Sequence, residues 1–304
     1  MTRDQRTRAD SYIEAGNYQE GIAIYRRLLA EHPGDDSLVM SLAWAYEDSG
    51  DRDGALACLE RLLEKELTGK VFTGFAFDEL VRIYRAASLH EKLCALCERV
   101  VAAYPGDVLL LTTLGDACLR AEKSGRAIEV FEMLTGMEAD NPAHWSSLGT
   151  ARIAAGHVRE GIAAYERAAT IDPEASHTFF GKLGQALLRF GYLPEAEAAL
   201  KKAVDIDSGN PSAHCSLGDI LIRQGRVGDG AASYERAIGL DPAASGSYYN
   251  RLGMTLMNHG YHREAAEAFS KARAAEPENP FYSIRLSDSL RKAGRDDETD
   301  DPCG

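Results

Sequence analysis

An all-α fold, built as a stack of about eight helix pairs closed by a C-terminal helix, is what this sequence predicts, and three observations predict it. Leu-Gly recurs at Leu114-Gly115, Leu148-Gly149, Leu183-Gly184, Leu217-Gly218 and Leu252-Gly253, at steps of 34, 35, 34 and 35 residues. A closing residue, mostly aromatic or aliphatic, stands at a matching place in every unit: Tyr25, Leu59, Cys97, Phe131, Tyr165, Leu200, Tyr234 and Phe269. Glycine and proline punctuate the same period, with Gly16, Gly50, Gly156, Gly191, Gly225 and Gly260 at mid-unit and Pro33, Pro105, Pro173, Pro242 and Pro277 at the end. A unit of this length is one supersecondary element that cannot bury its own apolar face, so it must stack on its neighbours.

Taken in order, the units start near Thr2, Asp36, Gly74, Val108, Pro142, His177, Pro211 and Gly246, with a half-unit from Pro280. The first helix, Arg3 to Ala15, is rich in Arg, Asp, Gln and Thr, as expected where no preceding unit covers it. Residues 1–69 hold units one and two, 70–73 an irregular connection, and 74–279 units three to eight. The step into the third unit is 38 residues, and that unit puts Val81 and Leu93 where Gly and Ala are usual. The connection is either a hinge or a packed loop; Phe72 and Phe75 favour partial packing. In the sixth unit Ala196, Ala199, Leu200 and Ala203 are expected to face inward and Glu195, Glu197, Lys201 and Lys202 to face water. The capping helix, 280–293, is expected to seal the array with Phe281, Ile284, Leu286 and Leu290. From 294 to 304 the chain carries five acidic residues, Asp296, Asp297, Glu298, Asp300 and Asp301, and is expected to be a disordered tail.

The fullest unit reads Trp145-x-x-Leu148-Gly149, then Gly156, Ile162, Tyr165, Ala168, Ile171, Asp172 and Pro173. It resembles the tetratricopeptide repeat (TPR) family, whose pattern is W-x2-L-G-x2-Y, then A-x3-F, then P. Two slots depart from that pattern: Arg152 stands for Tyr and Gly161 for Ala. The resemblance implies a right-handed superhelical solenoid. It also implies that the first helices of successive units line a concave groove holding an extended peptide or a partner helix.

Composition narrows the function classes. With 45% hydrophobic residues, 27% charged residues and a mean hydropathy of -0.29, the chain has the makeup of a soluble fold. No apolar run suits a membrane span or a secretory signal, so a cytoplasmic location is expected. A net charge of -13 argues against nucleic-acid binding, which needs a basic surface to neutralise phosphates. Five of the six cysteines fall inside predicted helices, where they read as small hydrophobes. Cys94-Ala-Leu-Cys97 lacks a second pair for zinc, and His259 with His262 lacks a third ligand, so no metal or cofactor is expected. Phosphate loops, zinc-protease helices and nucleophile elbows are missing, and the chain is expected not to be an enzyme.

Function is therefore expected on the groove. Its first three units contribute a mixed to acidic set, Arg6, Asp10, Glu14, Trp44, Glu47, Asp48, Asp78, Glu79, Arg82 and Arg85. The fifth adds Ser146, Ser147 and Thr150. From the sixth onward stand Lys182, Gln185, Arg189, Arg223, Asn250, Arg251, Asn258, Arg285 and Lys292, opposed by Asp219 and Asp288. This basic collection on an acidic chain suits an acidic or carboxylate-bearing segment, which Arg can engage with two hydrogen bonds. The expected role is a scaffold or adaptor that captures a protein or peptide segment. The alternative is a regulator whose superhelix changes pitch on binding a peptide. The family's chaperone-tail clamp of Lys and Asn residues is not reproduced here.

Overall fold

The computed structural model describes residues 2–69 and 72–299, and among these all regular structure is helical. The chain divides into two compact units, residues 1–123 and 124–304. The first unit holds α1 (Thr2–Glu14), α2 (Tyr18–Glu31), α3 (Asp36–Asp48), α4 (Arg52–Thr68), α5 (Phe75–Ala86), α6 (His90–Ala103) and α7 (Val108–Arg120). The second holds α8 (Ser124–Met137), α9 (Pro142–Ala154), α10 (Val158–Ile171), α11 (Ser176–Arg189) and α12 (Leu193–Ile206). It continues with α13 (Pro211–Arg223), α14 (Val227–Leu240), α15 (Ser245–Asn258), α16 (His262–Ala275) and α17 (Pro280–Thr299).

Helix starts follow local chemistry. The Asp35 carboxylate accepts from the backbone N–H of Ser37 and Leu38 at 3.0 and 3.3 Å, and Asp107 caps α7 in the same way at 2.9 and 3.0 Å. Asn141 and Asn210 cap α9 and α13, whose first residues are Pro142 and Pro211, where proline's missing N–H costs nothing. Between paired helices the chain turns through a left-handed residue, as at Gly156 (φ 87°) and Gly225 (φ 80°). The third and fourth turns place Ser88 (φ 55°) and Glu122 (φ 59°) there instead, a conformation that costs a side-chain-bearing residue energy.

Paired helices cross where the Leu-Gly glycine sits. A Cβ on Gly149 would lie 2.5 Å from Tyr165 Cδ2 and 2.9 Å from the Gly161 carbonyl oxygen; on Gly218 it would lie 2.7 Å from Tyr234 Cδ2 and 2.9 Å from the Gly230 carbonyl oxygen. At these two crossings the backbones themselves nearly touch. That closeness explains why Gly161 and Gly230 replace the alanine found at Ala196 and Ala265. In the third pair the bulkier Val81 and Leu93 are both buried. The first helices of the second unit also touch in series, α9 with α11, α11 with α13, and α13 with α15, and so form a continuous layer.

The connection into the third pair absorbs its extra length largely as helix. The α4 helix has 17 residues where α2 and α6 have 14. Lys70 and Val71 lie outside the described residues. Beyond them the Phe72 ring packs 4.9 Å from Tyr104 and 6.3 Å from Phe77, centroid to centroid. Glu66 takes the Thr73 hydroxyl and, at 3.3 Å, the Gly74 N–H. The expectation that Phe75 would pack as well is corrected, because it opens α5 with its ring exposed.

Two further expectations change. The inward face of α17 is Tyr282, Leu286, Ser289 and Ala293, one residue per turn, while Phe281, Ile284 and Leu290 are exposed. An i, i+4, i+7, i+11 stripe is what a single helix can lay on α16, and the other apolar residues fall off it. The α17 helix also runs past Ala293 to Thr299, where a disordered tail was expected from residue 294. No proline interrupts the chain between Pro280 and Pro302, so no backbone donor is lost on the way. Residues 300–304 lie outside the described residues.

Candidate functional site

The nine residues singled out in the sequence separate into two groups. Lys182, Gln185 and Arg189, at i, i+3 and i+7 on α11, are exposed side by side. With Ser146, Ser147 and Thr150 of α9, Tyr165 of α10 and Phe190, they line a cleft of about 330 Å³. The small α9 residues create the space, while the Lys182 ammonium lies 6.0 Å from the Phe179 ring and the Arg189 guanidinium 5.4 Å from the Phe190 ring.

The second group, Asn258 apart, is engaged within the fold. Arg223 donates to the Leu188 carbonyl at 3.1 Å, Arg285 donates to the Asn250 side chain, and Lys292 pairs with Asp288 at 3.3 Å. Asn258, the last residue of α15, is exposed. Arg251 donates through Nη2 at 2.6 Å and Nε at 3.1 Å to one oxygen of Asp219. The other Asp219 oxygen takes the Thr255 hydroxyl at 2.7 Å and the Tyr234 hydroxyl. One carboxylate of α13 thus ties together α14 and α15. Burial first, then the Asp219 charge, pushes the Tyr234 phenol far above its usual range.

This linkage recurs. The closing tyrosine reaches back 15 residues each time: Tyr25 to Asp10, Tyr165 to Thr150 at 2.7 Å, and Tyr234 to Asp219. The ring fills the crossing, and the hydroxyl finds its obligatory partner on the first helix.

Glu197, expected to face water, is instead a clamp. Its carboxylate accepts from Lys201 at 2.7 Å, Gln224 at 2.9 Å and Arg226 at 2.9 Å, joining α12 to the turn between α13 and α14. Lys201, with Gln224 and Arg226, holds its pKa down to about 2. A depressed value means the clamp's stabilisation is complete above the ordinary carboxylate range and is lost as pH falls through the folded value. Glu197→Gln should therefore cost about 1.5 to 3 kcal/mol at neutral pH, the range for hydrogen bonds to a charged group. Denaturant titrations of both proteins should show that gap closing between about pH 4 and pH 2; a gap independent of pH would mean that the carboxylate charge is not what holds the clamp.

One cavity in the first unit draws on two residues expected in the mixed to acidic zone, Arg6 and Trp44. About 700 Å³ is enclosed by Arg6 of α1, Asp36, Ser37, Met40 and Trp44 of α3, Leu62, Lys65 and Glu66 of α4, Gly69, Thr73, and Phe75 of α5. Trp44 is 52% and Phe75 70% exposed, although both are large and apolar. The charges on the rim are already directed: Arg6 donates to Ser37 and Ser41, each at 3.0 Å, and Lys65 pairs with Asp36 at 2.7 Å. The sequence signal for this cavity is the 38-residue step, since the lengthened α4 and the Glu66 tether set Phe75 opposite Trp44.

Comparison with known proteins agrees with this architecture. A family model described as tetratricopeptide repeat matches residues 12–68, and a second of the same description matches 146–211, 182–245, 215–280 and 250–298. No curated protein matches the chain. Among solved structures, one of MamA is 21% identical over 54% of this chain and 95% of its own, with a TM-score of 0.40. Another, of YrrB, "a TPR protein with an unusual peptide-binding site", is 15% identical over 62% of this chain and 96% of its own, with a TM-score of 0.38. At these levels the likeness concerns the helical fold alone.

Proposed function

The chain belongs to the tetratricopeptide repeat family, a protein-interaction scaffold, and we propose that it captures an extended segment of another protein through a large apolar anchor residue seated between Trp44 and Phe75. The observation that carries this reading is the exposure of those two rings around a cavity of about 700 Å³. A folded chain gains by covering such side chains, and a mostly apolar concavity with a few directed polar groups is how binding sites are built. A second station in the other unit, at Lys182, Gln185 and Arg189, suits an acidic stretch; its cations are exposed, whereas Arg251 already holds Asp219. No helix among the described residues is long and apolar enough to cross a membrane.

A random peptide library selected on the full chain tests both stations. Selected peptides should carry Phe, Leu, Ile or Met as anchor, and Trp44→Ala or Phe75→Ala should weaken them about 10- to 100-fold, as expected for a buried anchor contact. Lys182→Glu with Arg189→Glu should weaken only acidic peptides, and only at low salt. Peptides without an apolar anchor, or affinities indifferent to both α3 and α5 variants, would overturn the apolar station.

A further inference from the structure

Cys94 of α6 and Cys118 of α7 are both fully buried, and their sulfurs lie 3.0 Å apart. That is closer than the roughly 3.5 Å at which unbonded heavy atoms reach their best separation. Glu98, one turn beyond Cys94, brings a carboxylate oxygen within 4.8 Å of both sulfurs, and it is partly exposed. Two thiols and a carboxylate therefore meet at one place, with the carboxylate on the solvent side.

We propose that Cys94 and Cys118 form an oxidisable dithiol that a hydroperoxide converts to a disulfide, with Glu98 as proton acceptor. Cys94 gives its proton to Glu98, and its sulfur attacks one peroxide oxygen. The O–O bond breaks, and the departing oxygen takes the proton back from Glu98 and leaves as water. Cys94 is now a sulfenic acid. The Cys118 sulfur attacks it, the S–S bond forms, the S–O bond breaks, and the departing hydroxide takes the Cys118 proton as a second water. Two thiols have lost two electrons, and one hydrogen peroxide has been reduced to two waters.

Geometry favours this over a metal site. Tetrahedral zinc holds two thiolates about 3.7 Å apart and wants four donors. Here the sulfurs would have to be driven apart in a packed core, and three donor residues converge among the described residues. A disulfide instead draws them in by about 1 Å. Cys97 is a poor rival, because the converging group is Cys94, Glu98 and Cys118, and Cys97 does not join it. The product would staple α6 to α7, the second helix of one pair to the first helix of the next, and so fix the stacking of two repeats.

The test treats the reduced full chain with hydrogen peroxide, blocks remaining thiols by alkylation, and maps the digest by mass spectrometry without reduction. A Cys94–Cys118 cross-linked peptide, reversed by dithiothreitol, is the expected result. Cys94→Ser and Cys118→Ser should each abolish it and Cys97→Ser should preserve it, with circular dichroism confirming that the variants fold. Glu98→Gln should slow its formation about tenfold, a modest loss for a general base. Recovery of both residues as free thiols or as sulfinic acids would overturn the proposal. So would one equivalent of zinc bound by the untreated protein and lost in the same two variants.

Discussion

Phe269→Ala should lower the unfolding free energy by about 3 to 5 kcal/mol, the range for truncating a fully buried aromatic residue. The ring is wholly enclosed, and it occupies the crossing of α15 and α16, where a Cβ on Gly253 would come within 2.7 Å of Phe269 Cε1. Its cluster includes Tyr234, Leu252, Leu256, Ala265 and Leu286, so it joins the core of its own pair to the neighbouring pair and to α17. Collapse of the site would have to move backbone, because the space is bounded by helices rather than by side chains that can swing. Stability in such an array is shared through interfaces, so the loss should spread to α14 and α17. Denaturant unfolding gives the magnitude, and amide exchange gives the spread. Tyr165→Ala, at the equivalent crossing of α9 and α10, should behave alike; a loss below about 1 kcal/mol in both would be inconsistent with the measured cost of core truncations.

The same crossings show why the fold was legible in the sequence. A glycine, a closing ring and a turn residue in fixed register are local facts, and each dictates helix contact within one unit. Even the departure at Gly161 was a signal, since it marks a closer approach and not a weaker repeat. What stayed hidden depends on side chains meeting across units. Arg251 and Asp219 stand 32 residues apart, and nothing in either local sequence says that the cation is already satisfied. Glu197 sits at a position that a helical wheel assigns to water, and only the turn of the next pair brings Gln224 and Arg226 over it. That Lys182, Gln185 and Arg189 share one exposed face is legible, because i, i+3 and i+7 on one helix suffice to align them. The Trp44–Phe75 cavity was missed because its second wall is set by the length of α4, which the repeat frame registers only as an irregular step.

Asp219→Ala should cost about 1 to 3 kcal/mol, the range for leaving a buried polar group without its partner, here the Tyr234 hydroxyl. The side chain of Asp219 is 15% exposed and satisfies three donors, from Tyr234, Arg251 and Thr255. Its loss leaves the buried Tyr234 hydroxyl without its acceptor, while the Arg251 guanidinium, 43% exposed, keeps water and the Ser216 hydroxyl at 3.3 Å. Asp219→Asn keeps the shape and one acceptor oxygen, so it should cost less. The two substitutions together separate charge from packing. Arg251→Met in the Asp219→Ala background should recover only a small part of the loss, since the exposed cation is already hydrated, and a double-mutant cycle reads that coupling directly. The outcome also decides what Arg251 does. If Asp219→Asn tightens the binding of an acidic peptide at low salt while Arg251→Met abolishes the gain, the ion pair masks a cation that a stronger acidic partner could claim. If affinity is unchanged in both variants, Arg251 belongs to the fold, and the basic surface of the second unit reduces to Lys182 and Arg189.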